Sequence, residues 1–274
     1  CAARTSPTAG PVKVKKPRRS GKSALWTLAA GGLAGLCSLL LPASAFAHPS
    51  GLPKLKAGAQ ALIATSADWL FWDFHPSIVI GIVGLALLYT LGIRRWNVEN
   101  GAVVAIDRSR ARWMYGSLVL LWFMLDGPLH HLADELLFSA HMVQHLALQL
   151  VWAPMFVFGL QPFMVRRLLP AGPLRRFVHT ITRPTPAFAI YNGTIWLWHL
   201  PALYNMALLS HEWHIVEHLL FMSTAVIFWW PLLSPAPELP RPAFGSQMMY
   251  VFFNMIAMKA LGMIISLQDD VIYT

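Results

Sequence analysis

Cysteine is nearly absent from this sequence: its 274 residues include two, Cys1 and Cys37. Cys37 lies in an apolar run, so neither a disulfide framework nor a two-cysteine metal site has a basis. Charge is scarce as well. Only 12% of residues are Asp, Glu, Lys or Arg, where a soluble domain carries roughly 25%. A water-exposed surface cannot be covered at that density. The net charge of +9 and the pI of about 9.9 would raise nucleic acid as a partner, but no zinc finger, RNA-recognition signature or basic-aromatic array is present. What the chain has instead is 56% hydrophobic residues, a mean hydropathy of +0.52, and long apolar runs. The reading is an all-α, polytopic transmembrane helix bundle.

Residues 1–47 hold Lys13, Lys15, Lys16, Arg18, Arg19 and Lys22, then an apolar run from Ala24 to Leu41, then ASAFA ending at Ala47. That order fits a signal peptide cleaved before His48. The alternative is an uncleaved first helix. Residues 48–76 are expected to form an external segment, and 77–274 the bundle. Spans are expected at 77–93, 138–159, 186–207, 215–234 and 246–266, with a shorter one at 113–129. That makes about six mature helices, each near the ~20 residues a crossing needs. The chain stops at Thr274, shortly after a helix, and a C-terminal continuation of the bundle is expected.

The loops orient the bundle. Loop 94–112 holds Arg94, Arg95, Arg108, Arg110 and Arg112; loop 160–185 holds Arg166, Arg167, Arg175, Arg176 and Arg183. Loops 130–137 and 208–214 have neither Lys nor Arg. By the positive-inside rule the arginine loops are cytoplasmic and the others external.

That orientation gathers histidines. His141 and His145, in HMVQH, open one span on the external side; His214 and His218, in HIVEH, open another. His199, in WLWHLP, lies roughly 20 Å up a span entered from the cytoplasm. Residues i and i+4 share a helix face, so each HxxxH pair aims two imidazoles one way. Paired neutral imidazoles are a half-site for copper, zinc or haem iron. One such histidine alone reads as an interfacial side chain bonded to water. Five at one depth, from three helices, point to metal. HIVEH also fits H-x-x-E-H with Glu217 as base, but a protease needs a third ligand. Glu217 reads better as an outer partner that fixes a histidine tautomer.

Other residues are weaker candidates. His75, beside Asp73, and His130 and His131, near Asp134 and Glu135, read as solvated loop residues that could extend the site. His211 lies in a loop and His179 on the cytoplasmic side. Met142, Met222, Met255, Met258 and Met263 offer soft sulfur for Cu(I), though methionine more often fills core gaps. Lys259, about 20 Å into its span, is expected either to snorkel outward or to pair with Asp126.

The blocks FSAHMVQHLALQLVWAPMFVFGLQP, WLWHLPALYNMAL and HIVEHLLFMSTAVIFWWPLL resemble the caa3_CtaG family of cytochrome c oxidase assembly factors, over roughly residues 76–274. The resemblance implies a bacterial inner-membrane protein that helps form the copper centre of haem–copper oxidases. Its partners would be an oxidase subunit or other assembly proteins, in a lipid bilayer and without nucleic acid. Carried over by motif, the metal residues are His141, His145, His199, His214 and His218, with copper, favoured as Cu(I), held at the external mouth. The protein is not an enzyme on this reading. DGPLHH at 126–131 departs from the family pattern, and the family's final span is absent. The rival readings are a haem-binding electron carrier and a copper transporter. The second would need polar groups continuing inward beyond Asn192, Thr194 and Asn254.

Overall fold

The computed structural model describes residues 72, 74–100, 106–131, 133, 138–239 and 241–267. The expected signal segment and most of the external segment after it lie outside these residues. No strand occurs among the described residues. The helices are α1 (Pro76–Asn100), α2 (Arg108–Asp126), α3 (Pro128–His131), α4 (Phe138–Ala147), α5 (Ala153–Gly159), α6 (Pro162–Leu168), α7 (Pro173–Ile181), α8 (Pro184–Trp198), α9 (Pro201–Leu209), α10 (His211–Leu233) and α11 (Phe244–Ser266). A π-helical turn, Leu148–Trp152, joins α4 to α5 without a break.

Local sequence explains the boundaries. Helices α6 to α9 each begin on a proline, whose missing N–H is no loss in a first turn. The Asp107 carboxylate caps α2, accepting from the N–H groups of Ser109 (2.9 Å) and Arg110 (3.2 Å). Pro201 divides the span expected at 186–207. It pushes Leu200 into extended backbone (φ −66°, ψ 137°), so α8 stops at Trp198 and His199 caps it.

Four helical stretches are long and apolar enough to cross a membrane: Pro76–Glu99, Ser139–Gly159, His211–Leu233 and Phe244–Ser266. Of the six spans expected, α2 carries three arginines near its start, and α8 is only 15 residues long.

The helices alternate in direction. α1 runs against α2, with His75 beside Asp126 at one end and Tyr89 against Tyr115 further along. α10 runs against α8, with Trp198 near Phe221 and Tyr191 near Phe228. The shared core takes Leu121 and Met124 from α2, Leu148 and Trp152 from the π turn, Tyr191 and Ile195 from α8, and Phe221 and Phe228 from α10. Ala153, Ala187 and Ala225 are fully buried; small side chains let helices approach where lipid supplies no hydrophobic drive.

Polar contacts tie the helices together. Tyr191 donates to the Gln149 side chain (2.8 Å), Asn192 to Asn254 (3.0 Å), and Tyr250 to the Phe228 carbonyl (2.9 Å). The π turn has its own accounting. Ala153 N–H bonds Leu148 O, five residues back, so Gln149 O would next meet residue 154. Residue 154 is proline and has no N–H. The indole N–H of Trp229 takes that place, donating to Gln149 O at 2.8 Å.

The arginines gather at one end of this bundle. There Arg110 donates to the carbonyls of Phe158 and Leu160, and Arg167 pairs with Glu99 at 2.6 Å. The histidine pairs lie at the other end.

Candidate metal centre

α4 and α10 run in the same direction, and each carries its HxxxH pair in its first two turns. The four rings therefore face one another in two levels. His141 lies 5.2 Å from His214 and 6.0 Å from His218 between ring centroids. His145 lies 4.5 Å from His218. Within α10, His214 and His218 are stacked at 4.5 Å. His141, His145 and His218 are buried.

Two nitrogens are closest: Nε2 of His141 and Nε2 of His145 stand 2.7 Å apart. One donates and the other accepts. A tetrahedral ion shared by both would hold them about 3.3 Å apart, given metal–nitrogen bonds of about 2.0–2.1 Å. Small ring rotations cover that difference. His145 Nδ1 is buried and has no hydrogen-bond partner among the described residues, so this ring has donor capacity that the fold leaves unspent. His218 Nδ1–H donates to the His214 carbonyl (3.2 Å), which puts the lone pair of a neutral ring on Nε2.

Glu217 belongs to the same space. One of its carboxylate oxygens groups with ring nitrogens of His141 and His145, all within 4.8 Å of one another, and one groups likewise with His214 and His218. It is buried beside both pairs. The motif alone suggests an outer partner; the fold puts the carboxylate within reach of an ion. The signal was in the spacing, since residue 217 precedes His218 and follows His214 by three. Four imidazoles and one carboxylate suit copper or zinc.

His199 stands one ring away. Its Nδ1–H donates to Ile195 O (2.8 Å), and its ring lies parallel to Phe221 at 6.3 Å. Phe221 in turn contacts His145 at 5.1 Å. Phe221 thus touches both His199 and the four-histidine cluster. Met255 and Met263 are exposed on α11. His211 is exposed near the start of α10, and His179 is at the arginine end.

A second polar group lies beside the first. Asp126, 1% exposed, accepts from the His75 backbone N–H (2.6 Å), sits 3.2 Å from His75 Nδ1, and accepts from the Trp122 indole (3.1 Å). Gln144 donates to Met124 O (2.7 Å), and its nitrogen also lies 3.2 Å from His130 Nδ1. An amide nitrogen only donates, so His130 Nδ1 accepts and a neutral ring keeps its proton on Nε2. His75 and His130 are therefore held side chains beside α4, not solvated loop residues. Asp73, Asp134 and Glu135 lie outside the described residues. Lys259 does not pair with Asp126: it is exposed on α11, while Asp126 is satisfied by His75 and Trp122.

The model of the cytochrome c oxidase caa3 assembly factor family matches residues 87–274. The chain belongs to that family. Both HxxxH pairs, Glu217 and His199 fall inside the match. As a caa3 assembly factor the protein works with the oxidase or its assembly machinery, in a membrane that its apolar helices can cross. Comparison with curated proteins and with solved structures gives no match.

Proposed function

We propose that this assembly factor binds copper between α4 and α10 and hands it to a cytochrome c oxidase as the enzyme's copper centre is built. The observation that carries the reading is the meeting of two HxxxH pairs from separate helices around Glu217. A donor set dominated by neutral imidazole accepts either oxidation state of copper. The cluster lies in the first turns of two helices, so a partner can approach it from the end of the bundle. The arginine loops sit at the opposite end, which argues for histidines on the external side of a bacterial inner membrane. A haem carrier is less well supported, because rings within 4.5 Å across the helices leave no slot for a flat macrocycle.

Oxidase activity in a deletion strain tests the role. It is expected to fall sharply in copper-poor medium and to recover in part with added copper. Normal activity without the gene in copper-poor medium refutes the proposal.

Glu217 tests the choice of ion. A carboxylate matters more to a hard divalent cation than to Cu(I). Glu217→Gln is expected to leave Cu(I) affinity within about threefold and to weaken zinc at least about tenfold, or 1.4 kcal/mol. Competition with chelators of known affinity reads both numbers. Equal losses for the two ions would make Glu217 a required copper ligand.

A further inference from the structure

At the arginine end, α7, the turn into α8, the end of α10 and the α10–α11 connection line an open cavity of about 280 Å³. Arg183, Arg241, His179, Thr182 and Trp230 line it, and among the described residues no Asp or Glu does. Glu238, on the same connection, is engaged by Arg166 at 2.8 Å. Arg241 donates to the carbonyls of Leu233 (3.1 Å) and Ser234 (3.1 and 3.2 Å). Those neutral acceptors fix its guanidinium at the wall without cancelling its charge. Among the described residues no carboxylate pairs with Arg183.

A separate feature says what covers this region. α7 has no buried residue. Leu174 and Phe177, one turn apart, are 54% and 61% exposed, and Arg175 and Arg176 stand between them. A short helix with that pattern lies at the boundary of acyl chains and headgroups. Trp230 is an aromatic of the kind that collects at the same depth.

We infer that the cavity binds the phosphate of an anionic phospholipid. Arg183 and Arg241 face the phosphate oxygens, with His179 as a further donor. Guanidinium groups match that geometry better than ammonium groups do. The acyl chains lie toward Leu174 and Phe177. This site is independent of the histidine cluster and of any copper bound there.

The test is native mass spectrometry of the full-length protein in detergent, titrated with phosphatidylglycerol, phosphatidylcholine or inorganic phosphate. Wild type is expected to retain one phosphatidylglycerol in preference to phosphatidylcholine. Arg183→Gln is expected to retain it about tenfold more weakly, the value of one charge-assisted contact. Arg95→Gln, which removes an exposed charge on α1 away from the cavity, is expected to behave as wild type. Should R183Q fail to fold, His179→Ala on the same wall must weaken retention. Three results overturn the inference: equal retention by wild type and R183Q (or H179A in its place), equal retention of phosphatidylcholine, and displacement of the lipid by millimolar inorganic phosphate. The last would make the cavity a free-anion site.

Discussion

Replacing both His141 and His145 with alanine is expected to abolish copper retention. The pair supplies half of the imidazoles in the cluster, and their Nε2 atoms are the closest donors in it. What remains is His214, His218 and Glu217, with one side of the ion open to water. Losing outer partners of metal ligands costs about 10–100-fold in affinity; losing two direct ligands is expected to cost more than about a hundredfold. The measurement is copper per protein after dialysis against a chelator of known affinity. Melting temperature is followed alongside, because two buried side chains are being cut back. His199→Ala is the informative comparison, since His199 joins neither group of nitrogen and oxygen atoms close enough to share an ion. It is expected to keep most of its copper. Unchanged stoichiometry in the double variant, at unchanged melting temperature, would remove the site.

The largest effect on stability is expected from one methyl group. A Cβ added at Gly159 would stand 2.6 Å from the backbone nitrogen of Met114 and 2.7 Å from its Cα. Backbone cannot swing aside as a side-chain tip can. α2 and the end of α5 must then separate, and several contacts across that seam go with them. Arg110 donates to Phe158 O (2.9 Å) and Gln161 to Asp107 O (2.9 Å), and from α1 Tyr89 donates to Gly159 O itself (2.9 Å). Overpacking a core costs about 1–3 kcal/mol where side chains can adjust, and Gly159→Ala is expected to exceed that range. Gly193→Ala is the control. Nothing lies within 4 Å of its added Cβ, and it sits inside α8, where alanine is favoured over glycine by up to about 1 kcal/mol. Thermal melting in detergent compares the two. If G159A melts with wild type, the close approach of α2 and α5 is wrong.

Hydropathy made the bundle legible, because the bilayer demands long apolar runs and this chain has them. The arginine loops made the histidine end legible: charge distribution along the chain translated into position along the bundle. Spacing then paired His141 with His145 and His214 with His218. Details set by backbone or by packing were harder. The run 186–207 has no charge to mark a division, and only Pro201 hints that α8 ends before it. Nothing in the hydropathy distinguishes Glu217 as an outer partner from Glu217 inside the cluster. That depends on two helices running in the same direction, which periodicity does not encode. The sequence offered Asp126 one partner, Lys259; burial beside His75 and Trp122 gave it others. The π turn had one signal, Pro154, and its effect depends on Trp229 from another helix.

That turn has a consequence for the site. One extra residue in a helix shifts the phase of the segment before it by about 100° relative to the segment after it. The half of the span that carries His141 and His145 and the half that carries Ala153 and Val157 are thereby clocked separately. Val157 is buried and Ala153 belongs to the shared core, while the histidines meet α10. In an unbroken α-helix the two requirements would conflict, and the imidazoles would swing round toward the lipid. A single-residue deletion within Leu148–Trp152 would therefore disarm the cluster while leaving every histidine in the chain.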